Sequence, residues 1–235
     1  MKNKASSTKI ICTGNDDLDK KMGGGIPIKS LTLIKGQPDC GKSVLCQHMI
    51  WGSLKVGLSV SYFTTENTIR SLITQMQSLN LDILDYFLLS RLQIYPLDAK
   101  RMNQTLNGTI LPMIAKCIQE GIELVIIDSL THYATQSSVD EVITFFQECK
   151  SFADKGLSVV CSAHTYAFDD GSIGRISSMC DAHLILSKES MGTRLVNVIE
   201  VAKIRGAQSK TGSIISFDVE PGIGIKPIPF SKAKA

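Results

Sequence analysis

Residues 36–43 read GQPDCGKS, and glycine, four residues and then Gly-Lys-Ser is the pattern of a phosphate-binding loop. Glycines let the backbone curl so that successive N–H groups point at phosphate oxygens. A helix that begins near Lys42 would add its positive dipole end, and Lys42 itself would neutralise the β- and γ-phosphates of a nucleotide. Average residue usage makes a chance match about one in a hundred for a chain of this length. The predicted nucleotide-binding residues are Gly36, Gln37, Pro38, Asp39, Cys40, Gly41, Lys42, Ser43 and Val44.

The stretch LVIIDSL at 124–130 predicts the acidic half of the same site. A continuous apolar strand ends in Asp128, and open α/β sheets bind their ligands at the carboxyl ends of the strands. We expect the Ser43 hydroxyl to ligate Mg²⁺ directly and Asp128 to hold the same ion through water. The alternative is an aspartate that only caps the turn after its strand.

The elements that must position these residues alternate between strand and helix from residue 31 onward. Strands are predicted at 31–34, 58–65, 92–97, 123–128 and 157–164, and helices at 42–54, 67–80, 82–90, 103–120 and 139–155. Continuous apolar strands between amphipathic helices favour a parallel sheet that is covered on both faces. Further strands at 182–187, 194–204 and 213–219 follow one another across short turns. This pattern predicts antiparallel strands added at one edge of the sheet.

Length and composition restrict the class of protein. With 235 residues, 43% hydrophobic and 20% charged, the chain fits one globular domain, which we place at 10–230 between flexible tails at 1–9 and 231–235. The net charge of +3 is small, so composition does not indicate a nucleic-acid or membrane surface. We find neither a signal peptide nor an apolar run long enough to cross a bilayer. The seven cysteines include no C-x-x-C pair, a usage typical of a protein in a reducing cytoplasm.

Three further stretches carry a family resemblance: TGNDDLDKKMGGGIP at 13–27, FTTEN at 63–67 and KIRG at 203–206. Together with GQPDCGKS and LVIIDS they resemble the RecA-like ATPases of the KaiC branch over roughly residues 10–228. The resemblance implies an α/β fold with a RecA-like P-loop core, helices on both faces of a mostly parallel sheet and antiparallel strands at its C-terminal edge. It also implies ATP and Mg²⁺ as cofactors.

The same resemblance assigns roles to residues outside the loop. Glu66 matches the family's catalytic glutamate, which orients the attacking water; otherwise it would be an acid that favours a helix N-terminus. The next position is often a second Glu in KaiC proteins and is Asn67 here, so we expect slow or absent hydrolysis. His164 matches a polar sensor of the γ-phosphate at a strand end, and the alternative is a hydrogen-bonded structural histidine.

Lys203 and Arg205 match a Lys-x-Arg motif whose two cations reach the γ-phosphate of the neighbouring subunit. Alternation along a strand places both side chains on one face, as joint action requires. The alternative is a solvated strand face. The functional interpretation implies a homo-oligomeric ring, such as a hexamer, with ATP at the subunit interfaces.

Within the KaiC branch, the sequence is most similar to proteins that serve the archaeal flagellum (archaellum) motor. This similarity implies a regulatory ATP-binding subunit whose partners are the motor ATPase, the membrane platform protein and other cytoplasmic archaellum subunits. Such a subunit would be cytoplasmic and would meet the cell membrane's cytoplasmic face only through those partners.

Two other functions share the predicted site. A RecA-like ATPase acting on single-stranded nucleic acid needs basic, aromatic-bearing loops. Of the candidate loops, 131–138 has no Lys or Arg, and 165–178 has one Arg against two Asp. A KaiC-like autokinase would need two fused domains and a phosphorylated side chain near the nucleotide, for which Ser209 and Thr211 are the candidates.

Overall fold

The computed structural model describes residues 9–97, 105–206 and 212–229. The predicted tails lie outside these ranges except for Lys9, and so do Ser209 and Thr211. The described strands and α-helices, in chain order, are β1 (Ile10–Ile11), α1 (Asp16–Lys21), β2 (Ile26–Pro27), β3 (Leu31–Gly36), α2 (Lys42–Lys55), β4 (Val60–Thr64), α3 (Ile69–Ser78), α4 (Leu84–Leu88), β5 (Leu92–Pro96), α5 (Leu111–Gln119), β6 (Leu124–Asp128), α6 (Thr131–Gln136), α7 (Val139–Asp154), β7 (Ser158–His164), α8 (Asp170–Met179), β8 (Ala182–Met191), β9 (Arg194–Ile204), β10 (Ser213–Glu220) and β11 (Gly224–Ile228). A π-helical turn (Leu106–Ile110) leads directly into α5.

The described strands β3 to β11 form a nine-stranded sheet in the order β11-β10-β9-β8-β3-β7-β6-β4-β5. The strands from β8 to β5 pair in parallel, and β9, β10 and β11 are added antiparallel at the β8 edge. The predicted fold class is therefore confirmed, including the antiparallel C-terminal edge.

Two hydrophobic layers lie on opposite faces of this sheet. Neighbouring residues of β3 divide between them: Ile34 packs with α1, α2 and α3, whereas Leu33 packs with α5, α6, α7 and α8. This division follows from the two-residue period of a strand. A strand buried on both faces shows continuous apolar residues, and for this reason β3, β4, β6 and β7 were recognisable in the sequence.

Two segments that the sequence analysis treated as loops contain helices. Residues 131–138 include α6, and residues 165–178 include a 3-10 turn (Thr165–Ala167) and most of α8. The Asp169 side chain accepts a hydrogen bond from Ser172 N at 2.7 Å and thereby caps α8. Glycines within α8 weaken its helical pattern in the sequence, but burial of Ile176 under α7 stabilises the helix. The short elements β1, β2, α1 and β11 were also not predicted.

Two features relate to the environment expected from the sequence: the state of the cysteines and the apolar character of the helices. All seven cysteines fall within the described ranges, and each is buried and unpaired. Among the described helices, none combines the length and the apolar character needed to cross a membrane.

Candidate nucleotide site

The carboxyl ends of the parallel strands converge on a cavity of about 410 Å³. Gly36 at the end of β3 pairs with His164 at the end of β7, and Thr64 at the end of β4 pairs with Asp128 at the end of β6. The sequence-predicted residues that line the cavity are Asp39, Gly41, Lys42, Ser43, Val44, Glu66, Asp128 and His164. The topology thus brings together residues that are up to 125 positions apart in the chain.

The loop between β3 and α2 has glycines where side chains would collide with the fold. A Cβ at Gly36 would lie 2.5 Å from Leu186 O, and one at Gly41 would lie 2.9 Å from the Phe217 ring. Gly41 also has a φ of 88°, in the left-handed region that favours glycine. Cys40 is buried beneath the loop, where its thiol donates to Gln37 O at 2.9 Å. Gly36, Gln37, Pro38 and Cys40 shape the loop without lining the cavity.

Lys42 is buried without a counter-ion at the first position of α2. Its side chain is 6% exposed, and its Nζ donates to Gln37 O at 2.6 Å and to Gly36 O at 3.3 Å. No carboxylate of the described residues lies within 4.0 Å of it. A buried charge is costly unless it is paired. Together with the N-terminal amides of α2, the lysine therefore fits an anion such as a phosphate group.

Asp128 is 1% exposed, and both its oxygens accept hydrogen bonds. The Tyr62 hydroxyl donates to Oδ2 at 2.8 Å, and the Ser162 hydroxyl donates to Oδ1. Burial, and then the charge of Asp128, raises the pKa of Tyr62, so the phenol remains a donor. The two bonds orient the carboxylate and leave its outer lone pairs for water bound to a metal ion. Tyr62 and Ser162 were not predicted, because only the pairing of β4, β6 and β7 places them beside Asp128.

Glu66 lies at the exposed rim of the cavity, two residues after β4. Partial burial, and then the charge of Asp128, raises the pKa of the Glu66 carboxyl above its ordinary value, while Lys42 opposes the rise. The Glu66 and Asn67 backbone amides donate to Thr64 Oγ1 at 3.3 and 3.1 Å, which fixes the turn. Among the described residues, none donates a hydrogen bond to the Glu66 carboxylate. Glu66 therefore lines the cavity, but the described residues do not hold its side chain.

His164 is bound to the turn that follows Asp128. Its backbone N–H donates to Thr131 Oγ1 at 2.9 Å, and its Nδ1 lies 3.0 Å from the same oxygen. Burial, and then the charge of Lys42, lowers the pKa of the imidazole, which favours the neutral ring. The ring also stacks on Tyr166 with the centroids 5.1 Å apart. The histidine therefore has structural contacts and also lines the cavity, and its role as a sensor stays a prediction.

Lys203 and Arg205 lie towards the ends of the strands opposite the phosphate loop. Lys203 pairs with His183 near the start of β8. Gly36, the last residue of β3 at the phosphate loop, pairs with Leu186 further along β8. Lys203 lies opposite a β8 residue three positions before Leu186, and Arg205 lies opposite Asp181, five positions before it, so the two cations are about 10–16 Å back along the strands. They do not line the cavity of their own subunit.

The cavity also has walls that were not predicted. Gln75, Ser129, Asn197 and Val219 line it, and the last two belong to the antiparallel strands β9 and β10. Ser129 directly follows Asp128 in the LVIIDS stretch, whereas nothing in the local sequence distinguishes Gln75, Asn197 and Val219 from other helix or strand residues. Within the described ranges, no cluster of three or more His, Cys, Asp or Glu side chains could hold a metal ion. A metal ion at Ser43 and Asp128 would therefore need phosphate oxygens to complete its ligands.

Comparison with known proteins places this site in a family. A family model described as "ATPase: KaiC" matches residues 11–229. The archaeal flagellar ATP-binding protein FlaH of Sulfolobus acidocaldarius is 34% identical over 229 residues, covering 96% of this chain and 100% of that protein. The crystal structure of the flagellar accessory protein FlaH from Methanocaldococcus jannaschii has a TM-score of 0.82 at 28% identity, over 94% of this chain and 100% of that one.

A KaiC-like protein from Pyrococcus horikoshii OT3 is 17% identical, with a TM-score of 0.75 over 94% of this chain and 100% of that one, and supports the fold alone. The family match spans nearly all of the chain, and the FlaH relatives are matched along their whole length. This chain belongs to the KaiC family of RecA-fold ATPases and, within that family, to the FlaH group.

Proposed function

We propose that this protein is an ATP-binding switch of the archaellum motor, built as one RecA-like domain over residues 10–230. It binds ATP with Mg²⁺ and assembles into a homo-oligomeric ring with a nucleotide at each subunit interface. In this state its contacts with the motor ATPase and the membrane platform protein change, at the cytoplasmic face of the membrane. Hydrolysis is slow or absent. The names of the FlaH relatives, which describe archaeal flagellar ATP-binding proteins, support this assignment.

The observation that carries the proposal is the buried, uncompensated Lys42 at the mouth of the cavity. The loop amides of residues 36–43 and the Lys42 ammonium would hold the β- and γ-phosphates. Ser43 would ligate Mg²⁺, and Asp128, oriented by Tyr62 and Ser162, would hold a water of that ion. Bound Mg²⁺ would offset the negative charge of the phosphates.

Slow hydrolysis is supported by what surrounds Glu66. A catalytic base must be held within hydrogen-bond reach of the water that it activates. The Glu66 carboxylate has no hydrogen-bond donor among the described residues, and the neighbouring Asn67 offers no second carboxylate. The subunit's own Lys203 and Arg205 lie towards the strand ends away from the phosphate loop. Among the described residues, a single subunit therefore offers no fixed base and, besides Lys42, no lysine or arginine that lines the cavity.

Binding alone provides enough free energy for a switch. A ligand stabilises the state that it prefers by RT ln(1 + [L]/Kd), about 4 kcal/mol at a thousandfold excess over Kd. That free energy is enough to order an interface between subunits, so ATP hydrolysis is not required for each change of state.

Sizing the protein with and without Mg-ATP, and measuring phosphate release on the same sample, tests the proposal. We expect Mg-ATP to shift the protein to a ring while turnover stays far below the median enzyme value of about 10 s⁻¹. Lys42→Ala should abolish both nucleotide binding and the shift. Lys55→Ala, at the other end of α2, is the matched control and should bind normally.

Three results would contradict the assignment. Turnover near the median enzyme rate would indicate a motor ATPase in its own right. A salt-dependent gain in affinity for single-stranded DNA on adding ATP would favour a nucleic-acid ATPase. Phosphate found on the protein by mass spectrometry after incubation with ATP would favour an autokinase.

A further inference from the structure

Lys203 and Arg205 share their contacts at the C-terminal end of α8. Lys203 Nζ donates to Ser177 O at 3.0 Å and to Ser178 O at 3.3 Å. Arg205 Nη2 also donates to Ser178 O at 3.3 Å, and its Nη1 lies 3.4 Å from Asp181 Oδ1. The two charged groups therefore lie side by side at the C-terminal end of β9 and converge on the same carbonyl.

Two adjacent cations repel each other, and the fold offsets this repulsion locally. Burial, and then the charge of Arg205, lowers the pKa of Lys203. The carbonyls at the end of a helix have no partner within the helix and carry partial negative charge, so they attract cations. Asp181 adds a full negative charge beside Arg205.

Asp181 is itself held firmly. Lys150 Nζ donates to both of its oxygens, at 2.9 and 2.8 Å, and Leu31 N donates to Oδ2 at 3.0 Å. The Asp181 side chain is only 15% exposed, whereas that of Arg205 is 57% exposed. Arg205 thus rests on a fixed carboxylate and still faces the surroundings of the molecule.

We propose that the C-terminal end of α8 and Asp181 position Lys203 and Arg205 for the nucleotide site of the neighbouring subunit. The proposal rests on the ring proposed above, since the cations act on a nucleotide only in trans. Lysine has three N–H donors and arginine has five, and the contacts described use two of each, so donors remain for a phosphate. Long side chains lose conformational entropy when a ligand fixes them. A cation pair fixed beforehand loses less of it on binding.

Mixed rings separate positioning in trans from a general structural role. A Lys42→Ala subunit lacks its own nucleotide site but presents both cations to its neighbour. An Arg205→Ala subunit keeps its nucleotide site but lacks one of the two cations. With a fluorescent ATP analogue and Mg²⁺ as the probe, the mixture should bind more tightly than either variant alone. Asp181→Asn keeps an acceptor for Leu31 N and loses the charge. In the Lys42→Ala subunit, which supplies both cations, Asp181→Asn should lower the affinity gained on mixing about threefold. In the Arg205→Ala subunit, the same substitution should leave that gain unchanged.

The outcomes distinguish this inference from the proposed function. If the first mixture gains no affinity, the cations do not act in trans, and both the ring arrangement and the positioning role are overturned. If Asp181→Asn weakens binding equally in either subunit, only the positioning role is overturned. Arg205→Lys, a change at an exposed side chain, provides a second test in case Asp181→Asn does not fold. A single ammonium on a shorter, unforked side chain replaces the two guanidinium nitrogens that contact Ser178 O and Asp181, so we expect the gain to fall; a full gain would overturn the positioning role.

Discussion

His48 connects the phosphate-loop helix to the last strand, and this connection depends on its protonation state. The ring is buried in α2; its Nε2 accepts from Ile225 N at 2.9 Å, and its Nδ1 lies 3.3 Å from Thr13 O. Asn15 Nδ2 donates to the Ile225 carbonyl at 2.7 Å, so β11 is bound on both sides of one residue. Protonation would place a hydrogen on Nε2, where the Ile225 N–H already points. The neutral ring is therefore the form that the folded protein needs.

Burial lowers the pKa of His48 from 6.5 to about 4 in the folded protein. The unfolded chain then binds the proton more tightly, so the stabilisation is complete above pH 6.5 and is lost as the pH falls from 6.5 towards 4. With these pKa values, lowering the pH from 7 to 5 costs about 2 kcal/mol in the free energy of unfolding. For a domain of this size that is about 4–8 °C in Tm. Most carboxylates titrate below pH 5, so this interval isolates histidines.

Urea unfolding at pH 7 and pH 5 checks this value. His48→Gln cannot take up the proton, so the difference in unfolding free energy between the two pH values should shrink by about 2 kcal/mol relative to the wild type. His183, whose pKa burial also lowers to about 4, retains a similar contribution in that variant. His132→Gln, at a partly exposed site on α6, is the control and should keep the wild-type difference. If His48→Gln keeps it too, His48 is not held neutral by this contact and the reasoning is refuted.

Three other perturbations test the site itself. Glu66→Gln should remove any phosphate release and leave the affinity for a fluorescent ATP analogue unchanged; a large loss of affinity would show that the carboxylate serves binding. Tyr62→Phe removes a hydrogen bond to the buried Asp128 and should lower the free energy of unfolding by about 1.5–3 kcal/mol, with weaker Mg²⁺ dependence of nucleotide binding; unchanged urea curves would contradict this. Gly41→Ala forces a side chain into a left-handed φ and against Phe217, so it should destabilise the protein by about 1–3 kcal/mol and weaken nucleotide binding, which calorimetry with and without Mg-ATP measures.

The sequence by itself determined the parts of this protein in which chemistry and local structure coincide. A phosphate loop needs glycines, a lysine and a hydroxyl at fixed spacing between a strand and a helix, so Gly36, Gly41, Lys42 and Ser43 were recognisable before any contact was known. Strands buried on both faces are apolar throughout. Their alternation with helices indicated the parallel sheet and the position of Asp128 at the carboxyl end of its strand.

Only the tertiary structure decided which residues serve those motifs from a distance. Tyr62 and Ser162 orient Asp128 because β4 and β7 flank β6, and strand order cannot be derived from the period of any one strand. The same sheet places Lys203 and Arg205 towards the strand ends opposite the phosphate loop. There they contact the end of α8, a helix that the sequence pattern did not reveal. Local patterns report which side chains a segment buries, whereas the partners of those side chains depend on pairings between residues far apart in the chain.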